Sequence, residues 1–258
     1  MANEDLLYKN IIPVTYHGGT GGHFVAALLN RARNNKKDPG DNCYGLSEFG
    51  NCHRSDIDLG SSGGLDVPFE TQMVLLRTKI AENTPEHYPC YPPMHLRDWL
   101  KITETFERTI KIIYDQDDVV EIGKVFLVKW GVDENLLPAS RVQIRGWGAY
   151  QKNVILRRQP EWSPETQWGD RVANISWREL TREDPQIVTD RLSRFTGLAQ
   201  DHFDMGFMEE WRRRTRAAID LDVIAYLDNQ KKTLGSQGRR QWSEIKRMRR
   251  ADQSRNSA

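Results

Sequence analysis

The stretch NIIPVTYHGGTGGHFVAALLNRAR, residues 10–33, decides the fold. Its first seven residues are mostly apolar and β-branched, which suits a buried strand, although Pro13 fits poorly at the centre of one. The run His17, Gly18, Gly19, Thr20, Gly21, Gly22, His23 follows as a loop, with Thr20 as its one non-glycine residue between the histidines. FVAALLNRAR then predicts a helix. Phe24, Ala27 and Leu28 share one face, and Arg31 and Arg33 fall near the C-terminal end, where cations suit the dipole. Small residues between a strand and a helix leave backbone N–H groups exposed, at the point where the helix dipole adds partial positive charge. Such a cradle holds phosphate or sulfate oxygens. Thr20 adds a hydroxyl donor. A ligand-free tight connection is the plainer alternative, but one left-handed residue suffices for that, and four glycines exceed it.

Outward from this stretch, residues 34–66 are rich in Gly, Asn, Asp and Ser and read as a long loop, a lid or an insertion. Residues 69–83 predict a helix. HYPCYPPMHL is broken by prolines and extended before each of them. RDWLKITETFER predicts a helix, and TIKIIYD, residues 109–115, a second buried strand. DDVVEIGKVFLVKWG begins a helix with Asp117 or Asp118 near its start. Residues 131–170 read as irregular. Within residues 171–180, ANISW predicts a short strand followed by a turn. Residues 184–198 predict a helix with Asp184 as N-cap, Pro185 at the first position and Gly197 as the stop. Residues 206–230 predict another, strongly charged at WRRRTR. Strands alternating with helices imply an α/β fold with a parallel sheet.

Composition bounds the function classes. The chain has 258 residues, 38% of them hydrophobic and 28% charged, which predicts one large domain with a well-solvated surface. No apolar run reaches the roughly 18–20 residues of a membrane span, and MANEDLLYKN lacks the pattern of a secretory signal. Three cysteines, Cys43, Cys52 and Cys90, do not suggest a disulfide framework, so a reducing, cytoplasmic setting is expected. Cys43, Cys52 and His53 are conceivable metal ligands, but their spacing is not that of a zinc knuckle, and unpaired loop thiols are the simpler reading. Net charge is +1 but uneven. Residues 231–258 hold nine basic and two acidic side chains, leaving 28 basic against 34 acidic in the rest. We therefore divide the chain into an α/β domain, 1–230, and a basic, flexible tail, 231–258. The tail suits contact with nucleic acid or another anionic surface, or simple solvation.

The familiar nucleotide loops fit residues 17–23 poorly. The ATPase loop G-x-x-x-x-G-K-[ST] needs a lysine where His23 stands, which ranks a kinase low. The dinucleotide fingerprint G-x-G-x-x-G matches at Gly19 and Gly21 but has Phe24 at its third glycine. Better placed is the loop of the sulfotransferases that use 3′-phosphoadenylyl sulfate (PAPS): a strand, then Lys or Arg, Ser, Gly, Thr, and Thr or Ser, then a helix. His17, Gly18, Gly19, Thr20 and Gly21 resemble it. Three further pieces follow in that family's order. PPMHLRDWL resembles the segment carrying its histidine base. KIIYD running into DQDDVVEIGKVF resembles its next strand and Asp-Val helix start. ISWREL…DPQIVTDRLSRFTGL resembles its later strand, Asp-Pro helix start and Phe-Leu-Gly-Leu ending. The matches cover residues 10–33, 90–128 and 171–198, under half of the chain.

That resemblance implies a three-layer parallel sheet with helices on both faces, of the P-loop sulfotransferase type, and a transferase whose co-substrate is PAPS, with no metal. Gly18, Gly19, Thr20, Gly21 and Gly22 would hold the donor's phosphosulfate, with His23 beside them. His17 or His23 would place charge or a proton at the leaving oxygen. His95 would be the general base toward a hydroxyl or amine on a small-molecule or glycan acceptor. Arg141 and Arg145 are weaker anion contacts, and Trp147, Trp162 and Trp168 could stack on adenine or pack under a loop. The departures are specific. The loop's basic residue is His17. Where the family places an arginine for the donor's 3′-phosphate, this chain has Asp115 and Gln116, which leaves Lys124 as the substitute. Carboxylates there would repel a phosphate by several kcal/mol if poorly solvated. A non-catalytic binding or virion-assembly protein, phage-encoded and built on a degenerate version of this fold, is therefore the second expectation. A homo-oligomer is compatible with either.

Overall fold

A computed structural model describes residues 8, 10–16, 19–34, 46, 50, 52, 68–82, 90–95, 99–118, 121, 122, 125 and 169–221. The chain divides into two units, Met1–Ile219 and Asp220–Ala258; the features below belong to the first. In order they are β1 (Val14–Tyr16), α1 (Gly22–Arg33), α2 (Phe69–Glu82), β2 (Pro93–His95), α3 (Trp99–Thr105), β3 (Thr109–Ile113), β4 (Val172–Ser176), α4 (Trp177–Thr181), α5 (Pro185–Thr196) and α6 (Met205–Asp220). Short 3₁₀ turns stand at Gln116–Asp118, Gly169–Arg171 and Gln200–His202. The result is an α/β fold: four parallel strands in the order β2-β1-β3-β4, flanked by helices.

The strand order places a topological switch point beside β1. The chain leaves β1 for β2 on one side, then returns to β3 on the other. Val14, Thr15 and Tyr16 pair with Pro93, Met94 and His95, while Val14 and Thr15 pair with Ile110 and Lys111. Val14, Thr15 and Tyr16 are all buried, as are Thr109 to Ile112, so β1 and β3 are covered on both faces, as parallel strands between helices must be. One apolar cluster joins Tyr8, Ile11, Met94 of β2, Met73, Leu76 and Ile80 of α2, and Ile102 and Phe106 at α3. A second, aromatic one stacks Phe24 of α1 on Trp211 of α6.

Three expectations change. α1 is buried along nearly its whole length, Gly22 to Ala32, and not on one face alone. It lies between the sheet and the aromatic side chains of α6, so its polar residues need internal partners. Asn30 donates to the carbonyls of Ala26 and Tyr91, and Arg31 pairs with Asp204. The proline-broken segment contains a strand, β2, which Pro93 can start because it lies at the edge of the sheet. ANISW runs into a helix and not a turn. Ser176 accepts from the Glu179 amide while the Glu179 carboxylate accepts from the Ser176 amide, a reciprocal cap for α4. The 184–198 expectation holds in detail. Asp184 caps α5 through the Gln186 amide at 2.9 Å, Pro185 is its first residue, and Gly197 closes it at φ 77°.

Candidate functional site

β1 ends at Tyr16, and the chain turns through Gly19, Thr20 and Gly21 into α1. Gly19 has φ 89° and Gly21 φ 85°, a left-handed backbone that glycine adopts without strain. Gly21 is the N-cap of α1, and no side chain supplies a cap hydrogen bond there. The first intrahelical bond runs from the Val25 amide to the Gly21 carbonyl, so the amides of Gly22, His23 and Phe24 fall in the helix's first turn, whose N–H groups have no acceptor within the helix. The glycine-bracketed turn and the first turn of a 12-residue helix therefore meet at the C-terminal edge of a parallel sheet. In open α/β sheets, ligands bind outside that edge, at a switch point.

Close packing stands behind the same glycines. A Cβ on Gly22 would lie 2.0 Å from Cγ of Tyr16, and one on Gly21 would lie 2.9 Å from Cζ2 of Trp211. Thr20 is fully buried within this turn. His23 is buried as well, and its Nε2 lies 2.6 Å from the Tyr16 hydroxyl, so that nitrogen faces into the protein, toward β1. His23 is therefore not a solvent-exposed residue at the helix start.

His95 is the last residue of β2 and stands in register with Tyr16. The backbone of residue 95 and the entrance to the glycine loop thus occupy neighbouring positions on one sheet edge. The third arrival at this edge is the end of β3. There Asp118 is buried, and its carboxylate accepts from the Asp115 amide at 2.9 Å and from Nε of Arg178 at 2.9 Å. Arg178 also lies 3.6 Å from Asp117. The hydrogen bond and charge of Asp118 push the Arg178 guanidinium above its ordinary range. Two of the carboxylates that follow β3, Asp117 and Asp118, are thus paired with one arginine from α4.

The structure puts the turn formed by Gly19, Thr20, Gly21, Gly22 and His23 and the backbone of His95 at one edge of the sheet, an adjacency that the sequence did not show. His17, Gly18, Lys124, Arg141, Arg145, Trp147, Trp162, Trp168, Cys43 and His53 lie outside the described residues. Sequence reasoning missed Tyr16, Trp211 and Arg178. Tyr16 was available from its place at the end of β1. Arg178 and Trp211 were not, because their partners are remote in sequence. Lys111 was missed as well: it is buried in the middle of β3, and desolvation lowers its ammonium to about 8. Among the described residues, no cluster of three or more His, Cys, Asp or Glu side chains is placed to hold a metal ion. Nor is any described helix long and apolar enough to cross a membrane. Comparison with protein-family models, curated proteins and solved structures gives no match.

Proposed function

We propose that the chain is a sulfotransferase that moves a sulfuryl group from PAPS to a hydroxyl or amine acceptor, on a three-layer fold of the P-loop sulfotransferase type. One observation carries this reading: Tyr16, which leads into the glycine loop, is the register partner of His95 at the C-terminal edge of the sheet. Two segments matched separately in sequence are thereby neighbours where such a reaction needs them.

Sulfuryl transfer is close to phosphoryl transfer, in which protein groups position the reactants and stabilise charge on peripheral oxygens. The amides at Gly19 to Gly22, with Gly18 before them, would hold the donor's phosphosulfate. His95 would take the acceptor's proton as its oxygen or nitrogen bonds to sulfur. The bond from sulfur to the phosphate oxygen breaks, and the electron pair leaves with adenosine 3′,5′-bisphosphate. A histidine whose pKa is near 6.5 suits the base. His17 and Lys124 would supply positive charge toward the leaving oxygen and the donor's 3′-phosphate. His23 acts through Tyr16, which its Nε2 faces.

The second reading, a non-catalytic binding or virion-assembly protein, is favoured by the carboxylates Asp115, Asp117 and Asp118 after β3, where the family carries an arginine. Their tie to Arg178 weakens that objection without removing it. A thermal-shift titration with adenosine 3′,5′-bisphosphate, ATP and NAD separates the two. A ligand present at about 100 times its dissociation constant stabilises the native state by about 2.7 kcal/mol. Stabilisation by the bisphosphate, lost in Thr20→Ala and Lys124→Ala, supports the enzyme. Indifference to all three compounds at millimolar concentration would leave the assembly protein.

A further inference from the structure

We infer that Trp211 is a positioning residue for the glycine loop: a fixed indole whose two ends abut Gly21 and Gly50. The inference deepens the anion-cradle reading above and takes from it the purpose of the loop. Its geometry stands separately. The six-membered edge of the ring faces Gly21, where an added Cβ would lie 2.9 Å from Cζ2 and 3.2 Å from Cη2. Gly50 has φ 72°, and an added Cβ there would lie 3.0 Å from Oγ1 of Thr215, 3.3 Å from Cδ1 at the pyrrole end of the indole and 3.4 Å from the Trp211 carbonyl oxygen. Phe24 covers one ring face at a centroid distance of 4.1 Å and an interplanar angle of 8°. Trp177 meets the ring edge-on at 6.3 Å and 87°. Trp211 is fully buried. The indole is thus met by Phe24 on a face and by Trp177, Gly21 and Gly50 at its edges.

A cradle of N–H groups binds an anion well only if its backbone is already ordered, because binding otherwise spends free energy on ordering it. Gly19 and Gly21 have the broadest conformational freedom of any residue type and flank a single threonine, so the loop's own chemistry does little to hold its shape. Bulk against the bare Cα of Gly21 does. Leu180 of α4 adds a second wall, 3.8 Å from the same Cβ position. Gly50 holds a positive φ that suits glycine, and a side chain there would meet Oγ1 of Thr215 first and the indole next.

Hydrogen exchange measured by mass spectrometry over the peptide spanning the glycine loop tests this without any ligand. In Trp211→Phe the loop amides should exchange about tenfold faster or more, while the amides of α2 stay unchanged. Phe24→Leu, which keeps the indole but removes the ring stacked on its face, should do the same. It also serves if the tryptophan variant does not fold. Acceleration that is equal across all helices would show a general loss of stability, and an unchanged loop in folded variants would show that the ring positions nothing. Either result overturns the proposal. Adenosine 3′,5′-bisphosphate added to the wild type addresses the functional reading alone. If it gives no protection while the variants still loosen the loop, the donor assignment fails and the positioning role stands.

Discussion

Gly22 shows how a single residue can carry two explanations. As the first residue of α1 it occupies a position where alanine is intrinsically the better helix former. Packing reverses that preference, since a Cβ would enter the Tyr16 ring at 2.0 Å. Gly22→Ala should therefore cost about 3 kcal/mol in chemical denaturation, the upper end of overpacking effects. In a Tyr16→Ala background the same change should cost less than about 1 kcal/mol, because the obstacle is gone and propensity favours alanine. Equal costs in the two backgrounds would remove the steric account. Lys111 is the other residue whose environment sets its behaviour. Burial lowers its pKa from 10.5 to about 8, so the folded protein releases this proton before the unfolded chain does. Between those two values the unfolded chain binds more protons, and stability rises with pH; below about 8 the penalty is fully present. Lys111→Met should thus be more stable than wild type at pH 7, by up to about 3 kcal/mol. The gap should close as pH climbs through the window. Burial pushes the Cys90 thiol up and the Tyr91 phenol to about 12, which lowers stability in alkali, but both act equally in the two proteins. Urea denaturation of the pair from pH 7 to 10.5 reads the difference directly, and a pH-independent gap would refute the assignment.

At the scale of elements, legibility followed how local the determining interaction is. α5 could be read end to end because Asp184, Pro185 and Gly197 each act within a turn of their own position. β1, β3 and β4 announced themselves through β-branched, apolar runs. β2 did not, because Pro92 and Pro93 are signals of interruption, and only the pairing with β1 makes three residues a strand. α4 was misread although Ser176 and Glu179 carry the spacing of a capping box; five residues are too few for a periodic signal to outweigh the turn expected after a strand. The candidate site divides along the same line. A glycine loop between strand and helix is a contiguous signal. The adjacency of residue 95 depends on sheet order, and the tie between Arg178 and Asp118 spans 60 positions. The number of glycines in the loop also proved a weaker pointer to anions than it looked. Positive φ accounts for Gly19 and Gly21 and packing for Gly22, so the case for a ligand rests on the edge they form.

Across the whole of the first unit, α6 acts as a brace, and the arginines of its basic run are tied to neighbouring acceptors, although only Arg212 is buried. Arg212 donates to the carbonyls of Leu180 and Glu179, and Arg216 to that of Thr181, closing the C-terminal end of α4. Arg213 and Arg214 hold Glu210, whose carboxyl these hydrogen bonds lower to about 2, and Arg214 also reaches the Leu46 carbonyl. At the start of α6, Asp204 does two things at once. Its Oδ1 accepts from the Phe207 amide at 2.9 Å, capping the helix, and its Oδ2 pairs with Arg31 of α1. Arg31 is only 4% exposed and lies 4.7 Å over the Phe207 ring, so its charge has little access to water. Removing one member of a buried pair typically costs about 3–5 kcal/mol, because the other charge is left uncompensated. Asp204→Ala should reach that range and add the lost cap, about 1 kcal/mol more. Asp204→Asn keeps an oxygen for the Phe207 amide and should cost less. Arg31→Met in the Asp204→Ala background removes the stranded cation while keeping apolar bulk near Phe207. The double variant should therefore be more stable than Asp204→Ala alone, by about 1 kcal/mol or more. Urea-denaturation midpoints of wild type, Asp204→Ala, Arg31→Met and the double variant give the coupling. If the single costs simply add, Asp204 and Arg31 act independently, and the join between α1 and α6 depends on the aromatic stack alone.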